Sequence, residues 1–267
     1  RWIPPTDVSQ LPPDMDPSLF NFTLAWIEYV NRLMGMFVGI AIAITAILAI
    51  RYMRKHKTIL FTSVAAALLV AYQGWQGSQV VASALEPFII TIHLFIALLI
   101  VSLLIYVVQQ TAYLQTERRV PVKGKNPKTI VLGLYLLVLL QIVFGTQMRS
   151  QLERLRETAP MLSEGQWLEK LGPLGDIHIY LGVLVTLLFV YVFWRYGKNA
   201  LLADALQKKL TIWSLIFFTA QLLVGFALYE IGLPPFLQVL HLWLASLVMG
   251  TLLVLYFDLK RTDMVHE

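Results

Sequence analysis

Long apolar stretches separated by short polar ones run through the whole chain. Each apolar stretch has about 20 residues or more, and helical spacing of 1.5 Å per residue lets about 20 residues cross a bilayer core. The pattern therefore predicts an all-α integral membrane protein with seven transmembrane helices. We place them approximately at Leu24–Ile50, Ile59–Val81, Pro87–Val108, Thr129–Met148, Leu174–Trp194, Leu210–Glu230 and Pro235–Phe257.

The composition excludes several classes of protein. Of the 267 residues, 58% are hydrophobic and only 14% are charged, whereas about a quarter of the residues in a soluble domain are charged. A soluble enzyme, a nucleic-acid-binding domain and a disordered chain are thus all disfavoured, and we expect no nucleic-acid partner. The chain contains no cysteine, which excludes disulfides and thiolate metal sites.

Basic residues are concentrated in alternate loops. The loops after the first, third and fifth helices, together with the C-terminal tail, hold 15 of the 21 Lys and Arg residues. Because cytoplasmic loops carry the excess of Lys and Arg, these segments are predicted to be cytoplasmic and the N-terminus external. Short loops without a transit-like segment favour a multi-pass protein of the plasma membrane.

Short segments of the first half recur in the second half. IHLFIALLI at 92–100 resembles LHLWLASLV at 240–248, and NRLMG at 31–35 resembles HIYLG at 178–182. Gln-x-x-x-Gly occurs at 73–77, 141–145 and 221–225. Internal similarity of this kind predicts a duplicated architecture.

The simplest arrangement is two four-helix-bundle repeats, at residues 1–120 and 121–267. The first repeat then lacks a counterpart of the helix at Thr129–Met148. We expect that missing first helix to be encoded directly upstream of Arg1, where it would also place the start of the protein in the cytoplasm.

Three histidines share one predicted depth. His93, His178 and His241 each follow a helix-starting proline by five or six residues, roughly 8–9 Å along a helix. Asn31 reaches the same level, so a polar layer is predicted near the outer face. An ionisable residue at membrane depth is costly and is a functional hypothesis by default.

Several chemistries could use these histidines. Interhelical hydrogen bonds, a proton relay, and a zinc or copper site stay open, although Asp and Glu are scarce in the spans. A di-iron bundle site needs several Glu residues, and only Glu28 lies within a span. Two imidazoles from different helices suit axial ligation of a haem iron. His178 and His241 form a complete pair, whereas Asn31 beside His93 would leave room for a reactant.

The histidine segments resemble those of the haem A synthase family. EYVNRLMG at 28–35 is similar to that family's Glu-x-x-His-Arg signature, and the segments around His93, His178 and His241 resemble its other three histidine segments. The resemblance covers essentially the whole chain. The sequence departs from the family in having Asn31 at the signature histidine, in lacking the first helix, and in lacking the external cysteine pair that some members carry.

The resemblance implies a reaction and a set of cofactors. Family members oxidise the C8 methyl of haem O to the formyl of haem A for cytochrome oxidase assembly. The resemblance implies a haem b held by His178 and His241, and the substrate haem in the N-terminal half near His93. It also implies haem O supplied by a haem O synthase. The electron donor is not identified by the sequence, and a homo-oligomer stays open.

Charged residues near the histidines have two interpretations each. Glu28 falls on the family's essential glutamate and would act as a general base during methyl oxidation; its alternative role is an interfacial partner of Arg32. Arg32 and Arg149 are candidates for binding haem propionates, which suit a guanidinium.

Two other functions compete with haem A synthesis: a di-haem electron-transfer subunit and a non-catalytic haem-delivery protein. The type of haem extracted from the protein would separate haem A synthesis from both.

Overall fold

The protein is all-helical throughout the part that the computed structural model describes, which is residues 3–13, 16–83, 86–115, 127–196, 205–231 and 233–263. Seven of its helices are long and apolar enough to cross a membrane. This confirms the predicted fold class. The helices are α1 Phe22–Ala49, α2 Lys57–Ala82, α3 Pro87–Tyr113, α4 Lys128–Thr158, the short α5 Glu164–Lys170, α6 Pro173–Tyr196, α7 Ala205–Glu230 and α8 Pro235–Asp263.

The chain divides into two compact units, residues 1–78 and 79–267. The first contains α1 and most of α2, and the second contains α3 to α8. This division reflects packing, whereas the repeats at 1–120 and 121–267 were inferred from sequence similarity and stay a prediction.

Helices α4 and α8 form the centre of the second unit. Helix α8 packs against α3, α4 and α7, and α4 also packs against α6. Leu134 on α4 and Met249 on α8 are fully buried between them. The rings of Phe189 and Phe218 stack with centroids 4.2 Å apart, which joins α6 to α7. This core fixes the relative positions of the helices that carry His178 and His241.

Proline sets the start of each histidine-bearing helix of this unit. Helices α3, α6 and α8 begin at Pro87, Pro173 and Pro235, as expected for a residue whose missing N–H costs nothing in the first turn. The predicted register is confirmed, because each histidine lies five or six residues into its helix.

The connection between α4 and α6 differs from the sequence prediction. Helix α4 continues beyond Met148 to Thr158, and α5 follows with a Ser163–Gln166 capping box. Hydropathy alone ended α4 too early, because five of the seven residues at 151–157 are polar or charged, although the segment has good helix propensity. Gly172, with φ +53°, makes the turn into α6 at low conformational cost.

Contacts at this end of the unit tie α4 and α5 to the turn between α7 and α8. Arg156 Nη2 donates to the carbonyl of Leu233 at 3.1 Å, and the Leu233 N–H donates to Glu164 Oε2 at 3.1 Å. The Arg156 guanidinium also lies 5.6 Å from the ring centroid of Trp167. The connection is thus an ordered cap on the helix ends rather than an irregular loop.

A buried polar pair at the other end of α8 gives a stability prediction. Gln207 Nε2 donates to Asp258 Oδ2 at 2.9 Å, with the two residues 0% and 1% exposed. Gln207→Leu removes a hydrogen bond to a buried carboxylate, so the free energy of unfolding should fall by about 1–3 kcal/mol. Thermal unfolding in detergent should show a lower midpoint than in the exposed control Gln151→Leu; equal midpoints would contradict the prediction.

Candidate haem site

His178 lies against a glycine of the neighbouring helix. A methyl group on Gly145 of α4 would lie 3.1 Å from Cε1 and 3.7 Å from Nδ1 of His178. A carbon at 3.1 Å is closer than ordinary van der Waals contact, so a side chain at this position would push the imidazole away. Gly145 therefore allows the ring of His178 to pack directly on the backbone of α4.

Gln141 completes this contact one turn earlier on α4. Its Nε2 donates to the backbone carbonyl of His178 at 2.7 Å. A methyl group on Gly182, one turn after His178, would lie 3.3 Å from that same Nε2. Each helix thus supplies a glycine that accommodates the polar side chain of the other.

His241 on α8 has an equivalent setting against α7. A methyl group on Gly225 would lie 3.0 Å from Cε1 and 3.6 Å from Nδ1 of His241. Gln221, one turn before Gly225, places its amide Nε2 3.0 Å from His241 Nε2. An amide NH2 can only donate, so in this orientation Gln221 donates and Nε2 of His241 accepts.

Both imidazoles have an unsatisfied nitrogen. Nδ1 of His178 and Nδ1 of His241 are buried without a hydrogen-bond partner. A buried nitrogen without a partner costs about 1–3 kcal/mol, which a bond to a metal would offset. Two neutral imidazoles from different helices are the donor set of a bis-histidine haem, so these residues fit that cofactor.

Other metal chemistries lack a ligand set in the described parts of the chain. Nowhere in those ranges do three or more His, Cys, Asp or Glu side chains lie together in a group that could hold a metal ion. Carboxylate-bridged di-iron centres and structural zinc sites need such groups. The described residues therefore offer a two-imidazole donor set.

His93 lies on α3, six residues after Pro87, and is half-buried. Two residues earlier, the buried Thr91 accepts a hydrogen bond from Gln147 Nε2 of α4 at 2.6 Å. This contact fixes the rotation of α3 against α4 beside the histidine. Ligation of a haem by His93 stays a prediction.

Glu28, Asn31 and Arg32 belong to the other unit, on α1. Glu28 and Arg32 form an ion pair one turn apart, with both side chains exposed. Asn31 lines a groove of about 700 Å³ together with Trp26, Val30 and Met34, and Trp26 Nε1 donates to the Pro5 carbonyl at 3.3 Å. The pairing of Glu28 with Arg32 agrees with the spacing in the sequence, and it leaves the catalytic role of Glu28 a prediction.

Comparison with known proteins identifies the family. The chain matches the family model COX15-CtaA, described as cytochrome oxidase assembly protein, over residues 7–253.

The chain belongs to this family.

No curated protein and no solved structure matches the chain. The match to the cytochrome oxidase assembly family spans both units and includes every candidate site residue from Glu28 to His241. The predicted family resemblance is confirmed, and so is a general role in cytochrome oxidase assembly.

Arg149 is the predicted site residue with the least support in this cytochrome oxidase assembly protein. It lies four residues after Gly145, and thus on the same face of α4 as the glycine under His178. Its side chain is exposed. A contact with a haem propionate stays a prediction.

The sequence interpretation missed the functional meaning of the glutamines. Gln141 and Gln221 were recognised as part of a repeated pattern, but the pattern was not connected with the histidines. The order of the segments could have indicated this connection, because each Gln-x-x-x-Gly segment lies on the membrane helix that comes before a histidine-bearing membrane helix. Identifying the contact nevertheless required the packing of neighbouring helices.

Proposed function

We propose that this protein is a haem A synthase, a membrane oxidoreductase that converts haem O to haem A by oxidising the C8 methyl to a formyl. The observation that carries the proposal is the duplicated histidine setting in a member of the cytochrome oxidase assembly family. Two buried imidazoles, each with an open nitrogen, suit a permanently held haem.

His178 and His241 would hold the resident haem b. A haem with both axial positions taken by imidazoles supplies electron transfer without binding a reactant at the iron. Two features would keep the pair in place: the backbone at Gly145 and Gly225 leaves room for the rings, and the stacked Phe189 and Phe218 join α6 to α7 further along these helices.

The N-terminal repeat would bind the substrate haem O, with His93 as its imidazole ligand. Asn31 stands where the family signature has histidine, and an amide is a weak iron ligand, so one axial position would be open to the oxidant. Arg32 holds Glu28 through their ion pair on α1. A propionate of the substrate would bind Arg32, and one of haem b would bind Arg149.

Glu28 would act as the general base. Converting a methyl to a formyl exchanges two hydrogens for one oxygen and removes four electrons from the carbon. The reaction therefore needs an oxidant, and two molecules of dioxygen, reduced with four electrons from a donor, would balance it with three molecules of water as the other product. Protons must then leave the reacting carbon or its hydroxylated form. A carboxylate accepts such protons directly or through a water, which typically contributes about 10²–10⁴-fold to the rate.

We further propose that haem O comes from a haem O synthase and that haem A passes to cytochrome oxidase. The electrons would come from a donor that is not assigned.

The proposed setting is the plasma membrane, with the described N-terminal segment outside and the C-terminus in the cytoplasm. The histidine layer would then lie near the outer face. The basic loops support this orientation through the excess of Lys and Arg on one side.

The test is a cellular one. The full-length gene is expressed in a bacterium that makes haem O, has an oxidase that requires haem A, and lacks its own haem A synthase. Haem A should appear in membrane extracts with the wild-type protein and be absent with His241→Ala. Failure of the wild-type protein to produce haem A, while it accumulates in the membrane with bound haem, would favour a di-haem electron-transfer subunit.

A further inference from the structure

Gly145 and Gly225, which end the Gln-x-x-x-Gly segments of α4 and α7, contact their histidines with nearly the same geometry. A methyl group on Gly145 would lie 3.1, 3.7 and 4.0 Å from Cε1, Nδ1 and Nε2 of His178. On Gly225 the corresponding distances to His241 are 3.0, 3.6 and 4.0 Å. Three distances that agree within 0.1 Å mean that both imidazoles have the same orientation over their glycines.

We propose that Gln141–Gly145 and Gln221–Gly225 are positioning motifs, which orient the imidazoles of His178 and His241 for ligation of the haem iron. The inference rests on the proposed function in that it takes the ligand to be a haem. In each motif the glycine gives the ring its place, and the glutamine, one turn away on the same face, fixes the histidine by a hydrogen bond.

The glycines act through close approach. A methyl group at either position would lie 3.0–3.1 Å from Cε1, so the imidazole would have to move by a few tenths of an ångström. Ligands of a functional site must be held within about 0.5 Å and 10–20° of the productive geometry. A single methyl group is therefore enough to disturb ligation without adding charge or polarity.

The glutamines act differently from each other. Gln141 donates to the backbone carbonyl of His178, so it fixes where α6 lies against α4. Gln221 contacts the ring of His241 itself. An imidazole that ligates a metal through one nitrogen donates the N–H of the other nitrogen. In the structure the Gln221 amide presents Nε2 to the ring. A half-turn of the amide would present its oxygen instead, which would then accept from that N–H.

Gln221 should consequently tune the electronic properties of the haem as well as its position. A stronger hydrogen-bond acceptor on the N–H of the nitrogen that does not ligate the iron makes the imidazole more basic, which stabilises the oxidised iron. The midpoint potential is therefore expected to report on Gln221, and much less on Gln141, which does not contact a ring nitrogen.

The first part of the test measures haem content in the purified full-length protein. The amount of low-spin haem per protein should fall at least about ten-fold in Gly145→Ala and in Gly225→Ala. This is the scale of effect seen when groups that support metal ligands are lost. Gly133→Ala is the matched control. Gly133 lies on the same helix, α4, and a methyl group there would have no other atom within 4 Å. Wild-type haem content in both glycine variants would overturn the role of the glycines.

The second part measures the midpoint potential and the low-spin electron paramagnetic resonance signal of Gln221 variants. Gln221→Glu should lower the potential and Gln221→Leu should raise it, with Gln141→Leu close to the wild type. A merely structural role gives no such opposite shifts, so equal potentials, or shifts in one direction, would overturn the inference. A wild-type protein that holds low-spin haem but makes no haem A would overturn the proposed function alone, because neither readout depends on turnover.

Discussion

Removal of either His178 or His241 is expected to abolish the low-spin haem of the protein. Either His178→Ala or His241→Ala would remove one of the two imidazoles proposed to ligate the haem iron. The haem would then be held by a single histidine. We expect the reduced absorption spectrum to lose its low-spin bands, either through loss of the haem or through conversion to a high-spin form. This is the largest effect that the account predicts.

A histidine outside the membrane helices provides the control. His56 lies between α1 and α2 and packs edge-on against Tyr52, so His56→Ala should keep the wild-type spectrum. If both His178→Ala and His241→Ala kept the wild-type reduced spectrum, the bis-histidine assignment would be wrong.

Glu28→Gln should bind haem normally but lose methyl oxidation by roughly 10²–10⁴-fold. The amide keeps the size of the side chain and can still accept a hydrogen bond from Arg32, but it cannot accept a proton. The measurement is the rate of formation of haem A and its hydroxylated intermediate, divided by the haem content of the same sample.

The exposed Glu153 of α4 supplies the matched control, because Glu153→Gln removes an equal charge from the same protein. That variant should turn over at the wild-type rate. Unchanged turnover in Glu28→Gln, with haem occupancy verified, would leave Glu28 as the structural partner of Arg32 and remove its role as a base.

The helices were predictable because a bilayer imposes a length on each apolar segment. Hydropathy located all seven membrane helices, and Pro87, Pro173 and Pro235 set the depth of the histidines. The extension of α4 to Thr158 was not predicted, because residues 151–157 are mostly polar or charged and carry no membrane signal. The cap formed by Arg156, Glu164 and Leu233 depends on tertiary contacts between segments about 70 residues apart in sequence.

The candidate site was predictable in its residue types and not in its supporting contacts. Imidazoles at membrane depth are rare enough to identify His178 and His241 from the sequence, and the spacing of Glu28 and Arg32 indicates an ion pair within one helix. The contact of Gly145 with His178 could not be deduced, since it depends on which faces of α4 and α6 meet. Only the repetition of the Gln-x-x-x-Gly pattern pointed toward it.

Conversion of haem O to haem A by this protein would be visible in the mass of its extracted haem. The full-length protein is co-expressed with a haem O synthase and purified, and its haems are separated and weighed by mass spectrometry. We expect haem b together with haem A, or with the hydroxylated intermediate on the way to haem A. Haem b with unaltered haem O alone, from a protein whose low-spin spectrum is intact, would contradict the proposed function.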